Sequence, residues 1–129
     1  MIKYKLEVSE SFKKSSIAER KKICNGCGPT GWKGRLVPDK IAGMNLKPAC
    51  QQHDWDYHFG KTWEDKKIAD KRFLNNLEII ENNTGMPFWI IFKFQKRRLI
   101  KIRQNIIIGY YKAVKYFGSS AFWDRKERQ

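Results

Sequence analysis

The sequence predicts an all-α fold: two antiparallel helices that carry a site, a long glycine-rich loop before them, and a basic helical segment after them. Three observations predict this. Apolar residues recur three and four positions apart over 48–59, 62–81 and 87–117, the spacing that gives a helix one buried stripe. Those stretches are bracketed by helix start and stop signals. Gly26, Gly28, Pro29, Gly31, Gly34, Pro38 and Gly43 break any regular element across residues 24–47.

Taken in order, residues 1–14 are ambiguous. Ile2, Tyr4, Leu6 and Val8 alternate as in a short strand, with no partner strand evident nearby. Ser16-Ile17-Ala18-Glu19 has the capping-box pattern and opens a short helix to about Ile23. The glycine-rich stretch that follows reads as a long ordered loop, held by Trp32, Leu36, Val37 and Ile41. Pro48 suits the first turn of the next helix, whose leading N–H groups have no partner within the helix. That helix runs to Phe59 and stops at Gly60. Thr62 caps the third, with Glu64 and Asp65 in its first turn, where the helix dipole favours acids. It ends in Asn82-Asn83-Thr84-Gly85. The connection from Gly60 to Thr62 is short enough to make the two helices antiparallel neighbours. In the last segment Ile102, Ile106, Tyr110, Val114 and Phe117 repeat at helical spacing, and Trp89 with the isoleucines is expected in the core.

A chain of 129 residues fits one domain, 1–129. Its net charge of +14 favours anionic partners, membrane lipid or nucleic acid. The first twenty-two residues carry ten charges and no apolar run of the kind a secretory signal needs. The longest apolar run, Phe88-Trp89-Ile90-Ile91-Phe92, is far too short to span a bilayer. Three cysteines, Cys24, Cys27 and Cys50, allow at most one internal bridge, which is not the dense cross-linking of a small secreted scaffold.

Candidate chemistry centres on Cys50-Gln51-Gln52-His53-Asp54-Trp55-Asp56-Tyr57. Ala49, Cys50, His53 and Tyr57 share one helix face, while Asp54 lies about 100° round the axis. His53 and Asp54 therefore serve two tasks side by side, proton transfer and metal binding, rather than gripping one object. Asp70 falls on the stripe of Phe73, Leu74 and Leu77. A carboxylate there needs hydrogen-bond donors, and His53 and Tyr57 on the antiparallel neighbour are in place to give them. A buried Asp fixes the tautomer and angle of an imidazole. The plain alternatives are a solvated His-Asp pair and an Asp at the helix rim capped by water. The loop Asn25-Gly26-Cys27-Gly28-Pro29-Thr30-Gly31-Trp32 lets backbone approach a ligand closely. Facing Asp54, its carbonyls suit Ca²⁺, which takes about six to eight oxygen ligands. A bridge from Cys27 to Cys50, with Cys24 to Cys50 as the alternative, would pin that loop one turn before His53.

Pro48-Ala49-Cys50-x-x-His53-Asp54-x-x-Tyr57 and Ala69-Asp70-x-x-Phe73, preceded by the Cys-Gly-Pro loop, resemble the phospholipase A2 superfamily, in particular its short bacterial, fungal and parvoviral branches. The match covers roughly residues 24–80. The resemblance implies that His53 is the general base for the attacking water, oriented by Asp70 and Tyr57. It implies that Asp54 holds Ca²⁺ with the backbone carbonyls of Gly26, Gly28 and Thr30. The metal and the Gly28 N–H would stabilise the oxyanion as the sn-2 ester of a phospholipid is cleaved. The chain departs from the pancreatic and venom enzymes in having one cysteine before the His, Trp55-Asp56 after the His-Asp pair, and Thr30 where glycine is usual. The resemblance fits an extracellular, viral or phage setting better than a purely cytoplasmic one.

From Asn82 to Trp123 the chain has no acid and eight basic residues, Lys93, Lys96, Arg97, Arg98, Lys101, Arg103, Lys112 and Lys115, interleaved with aromatics. A basic amphipathic helix of this kind over 87–117 suits an anionic phospholipid membrane surface, or else a core helix with a solvated cationic face. One rival uses the same residues differently. Cys24-x-x-Cys27 with Cys50-x-x-His53 has the spacing of a Cys₃His structural zinc site in a basic nucleic-acid-binding module. Zinc gives no reason for Asp54, Tyr57 or an inward Asp70. A third reading keeps the fold as a lipid-binding or membrane-disrupting protein without turnover, and the His53, Asp54, Asp70 set speaks against it.

Overall fold

The computed structural model describes residues 4–24, 38–120 and 122–123. The described chain is mostly helical: α1 (Glu10–Lys14), α2 (Ile17–Ile23), a hairpin of β1 (Lys40–Ile41) and β2 (Met44–Asn45), then α3 (Lys47–Phe59), α4 (Trp63–Asn83) and α5 (Lys93–Phe117).

Helix starts follow local hydrogen bonding. Ser9 and Ser16 cap α1 and α2 through their side chains. Thr62 and Asp65 form a reciprocal capping box at α4. The α1 helix was not expected from the alternation of residues 1–8. Tyr4, Leu6 and Val8 do face inward there, but no strand forms. That stretch is held by Asn76, whose buried amide accepts from the Glu7 N–H and donates to the Glu7 carbonyl. A side chain thus replaces the partner strand. Within the expected loop, the hairpin turns at Ala42-Gly43, both with positive φ, 53° and 79°. Two such residues make the primed turn that matches strand twist. Residues 25–37 lie outside the described residues.

Three helices carry the core. α3 and α4 pack antiparallel across the turn at Gly60-Lys61-Thr62, and α5 runs back along α4. Leu46, Ala49, Cys50, Phe73, Leu77 and Ile80 form the main apolar cluster, closed by Met44 and Ile107. Tyr57, Ala69 and Phe122 form a smaller one at the other end of the pair. Two expectations for α5 are corrected. Ile102 and Phe117 are exposed, and the buried positions are Arg103 and Ile107, flanked by half-buried Ile106, Tyr110 and Val114. Trp89 is not in the core; it is more than half exposed, because the turn carrying it lies beyond the end of α4. Arg103 takes an inward position by sending its guanidinium to three backbone carbonyls, those of Ala42, Thr84 and Gly85, at 2.9, 3.2 and 3.1 Å.

Candidate active site

The site sits where α3 and α4 face each other. His53 and Tyr57 are one turn apart on α3, and Asp70 is on α4 opposite them. Asp70 Oδ1 receives two donors, His53 Nε2 at 2.8 Å and the Tyr57 hydroxyl at 2.7 Å. The imidazole is wedged between rings, with Tyr57 at 4.1 Å and Phe73 at 4.6 Å between centroids. All four residues are buried, so the ring has little freedom to turn away from the carboxylate.

Sequence reasoning missed the third partner. Lys66, 4 % exposed, donates to Asp70 Oδ2 at 2.7 Å. It also donates to the carbonyls of Val114 and Lys115 near the end of α5, at 3.1 and 3.4 Å. Its signal was present in the chain: Lys66 precedes Asp70 by one helical turn, so the two share a face.

Electrostatics fix the protonation pattern. Burial pushes the Asp70 carboxyl up, but hydrogen bonds from His53, Lys66 and Tyr57, with the imidazole's charge, outweigh it and hold the group below its ordinary 3.8. Asp70 is therefore an ionised acceptor near neutral pH. Because it only accepts, His53 Nε2 must carry a proton, and in the neutral ring Nδ1 is the basic nitrogen. The geometry thus assigns the tautomer that a water-activating base requires.

Asp54 is buried as well, 8 % exposed, on a different face of α3 from the Asp70 contact. A carboxylate of this kind suits a hard, oxygen-seeking cation. The other expected ligands, the carbonyls of Gly26, Gly28 and Thr30, lie outside the described residues, as does the Gly28 N–H. Cys27 lies there too, and with it the expected Cys27–Cys50 bridge. Among the described residues, no three His, Cys, Asp or Glu side chains converge on one metal position. The cysteines and histidine of the zinc alternative that are described have other surroundings: the Cys24 thiol donates to the Gln51 carbonyl at 3.1 Å, Cys50 packs in the main apolar cluster, and His53 points Nε2 at Asp70.

Asp56, next along α3, belongs to a separate pair. Its Oδ1 accepts from Arg72 Nη1 at 2.7 Å and from Gln52 Nε2 at 2.9 Å. Burial raises its carboxyl against the pull of Arg72, Gln52 and His53. It joins α3 to α4 beside the site. No family model, curated protein or solved structure matches the chain.

Proposed function

We propose that this chain is a calcium-dependent phospholipase A2-type hydrolase that cleaves the sn-2 ester of glycerophospholipids at a membrane surface. The observation that carries this reading is the buried His53–Asp70 pair, 2.8 Å apart, with Tyr57 on the same carboxylate oxygen and Asp54 beside the imidazole in sequence.

In the proposed reaction His53 Nδ1 takes a proton from water as the water oxygen bonds to the ester carbonyl carbon. Asp70 holds the ring angle and stabilises the imidazolium that results. When the tetrahedral intermediate collapses, the bond from carbon to the glycerol oxygen breaks, and His53 returns the proton to that oxygen. A fatty acid and a lysophospholipid leave, with no Ser or Cys nucleophile involved. Ca²⁺, when bound by Asp54 and the carbonyls of Gly26, Gly28 and Thr30, would supply positive charge to the developing oxyanion, together with the Gly28 N–H. A Cys27–Cys50 bridge belongs to the same proposal, as the tie between that loop and α3.

Fatty-acid release from vesicles containing phosphatidylglycerol, with and without a calcium chelator, tests the proposal. Wild type releases fatty acid and the chelator stops it. His53→Gln and Asp54→Lys both abolish release while vesicle binding persists. Turnover by His53→Gln would remove His53 as the base. One tightly held zinc per purified chain would overturn the reading in favour of a Cys₃His site.

A further inference from the structure

The connection between α4 and α5 exposes an apolar surface that the core does not explain. Phe88 is 98 % exposed, Ile91 79 %, and Trp89, Phe92 and Phe94 are each more than half exposed. Removing such side chains from water is the main favourable term in folding and association, so leaving five together in solvent is costly.

This surface is built rather than loose. The Ile90 N–H donates to the Pro87 carbonyl at 3.0 Å and closes a turn that carries Phe88 and Trp89. Gln95 Oε1 accepts from the N–H groups of Ile91 and Phe92, at 3.1 Å each, and caps the start of α5. The Phe92 and Phe94 rings stack with centroids 5.7 Å apart.

Charge identifies the occupant. Lys93, Lys96, Arg97, Arg98 and Lys101 follow on the first turns of α5, and the sequence has no acid between Glu81 and Asp124. The first buried residue of α5 is Arg103, anchored just past the end of α4. The ten residues before it, starting at Lys93, span about 15 Å of helix with no buried side chain. A protein groove that accepted the aromatics would also need acids for the cations. An anionic bilayer offers both at once, acyl chains for Phe88, Trp89 and Ile91 and headgroups for the lysines and arginines. Aromatic side chains suit that boundary, and no described helix is long and apolar enough to cross a membrane.

We infer that Phe88, Trp89, Ile91, Phe92 and Phe94 insert into the interfacial layer of an anionic phospholipid membrane, with the cations at the start of α5 seated on its headgroups. The inference deepens the proposed lipase reading by placing its membrane contact, and it stands or falls separately from catalysis.

The test uses the full chain and vesicles of roughly three parts phosphatidylcholine to one part phosphatidylglycerol, with brominated acyl chains as a fluorescence quencher. Wild type binds, its tryptophan emission is quenched, and most of the quenching is absent in Trp89→Phe. Phe88→Ser/Ile91→Ser/Phe92→Ser changes exposed positions only and keeps the wild-type circular dichroism. It should bind vesicles about tenfold or more weakly. In about 0.5 M NaCl, or with phosphatidylcholine alone, wild-type binding should fall as well. Short-chain phospholipid below its micelle concentration is hydrolysed equally by wild type and the triple variant. Absence of that hydrolysis in both, with wild-type binding and quenching as expected, removes the lipase reading and leaves the membrane contact standing. Undiminished vesicle binding by the triple variant, or quenching that survives in Trp89→Phe, overturns the inference. So does wild-type dimerisation through these residues without vesicle binding.

Discussion

Asp70 joins α3 and α4 through a single carboxylate. Three donors from α3 and α4 converge on its two oxygens, at 2.8, 2.7 and 2.7 Å. Its folded value lies below the ordinary 3.8. The contribution it makes to stability is therefore complete above 3.8 and is lost as pH falls below it. Asp56 is shifted the other way, so its ionisation costs stability as pH rises and cannot account for a loss in acid. Asp70→Asn should cost roughly 1.5–3 kcal/mol at neutral pH. It should also flatten the fall of stability as pH drops below about 4. Urea denaturation across that range checks both, and unchanged stability at neutral pH would contradict the network. Much of this residue was legible beforehand. An acid on the stripe of Phe73 and Leu77 must find donors, and His53 and Tyr57 were the reachable ones. Lys66 was not foreseen, because a lysine one turn from an acid is ordinary on a solvated helix face. Only the return of α5 turns that face inward.

At the scale of elements, Arg103 ties three together: the hairpin through Ala42, the end of α4 through Thr84 and Gly85, and its own helix. It is 1 % exposed and has no acidic partner among the described ion pairs. Carbonyls alone compensate its burial, which suits the delocalised guanidinium better than a compact ammonium. Arg103→Met would leave three carbonyls without that donor and should cost about 3 kcal/mol or more. Arg103→Lys should lose an intermediate amount, since one ammonium cannot reproduce the fork. Thermal denaturation of the two variants decides, and wild-type stability in Arg103→Lys would show that charge rather than geometry matters. The limits of α2, α3 and α4 were legible from local chemistry, whereas the last helix, expected from residue 87, begins at Lys93 after a turn. Thr62, Ser16, Pro48 and Gly60 act within a few residues of themselves, and the helices end within a residue or two of where those signals put them. The orientation of α5 was not legible. Its apolar residues lie on more than one face, so spacing alone admitted a stripe through Ile102 and Phe117, whereas packing chose Arg103 and Ile107.

For the whole molecule, the resemblance covers residues 24–80, yet the site draws on the far end of the chain. Lys66 holds the Val114 and Lys115 carbonyls, and Phe122, fully buried, meets the Tyr57 ring edge-on with centroids 5.2 Å apart. A Cβ on Gly118 would fall 2.6 Å from the Tyr57 hydroxyl, so the backbone there closes directly on the network. Phe122→Ala should cost about 3–5 kcal/mol. If the proposed activity holds, it should also slow turnover, by loosening Tyr57, without altering calcium dependence. Stability curves and fatty-acid release check the two parts, and full turnover with the expected loss of stability would limit Phe122 to packing. These contacts join positions about fifty to sixty-five residues apart in the chain, and no local pattern announces them.

The lysine bridge from Asp70 to the tail of α5 also decides how this gene product could be shortened or spliced. A fragment cut after residue 80 would keep His53, Tyr57, Lys66 and Asp70 and lose the α5 carbonyls on which Lys66 closes. The shortest fragment that keeps the packing around Tyr57 therefore extends to the final aromatic pair.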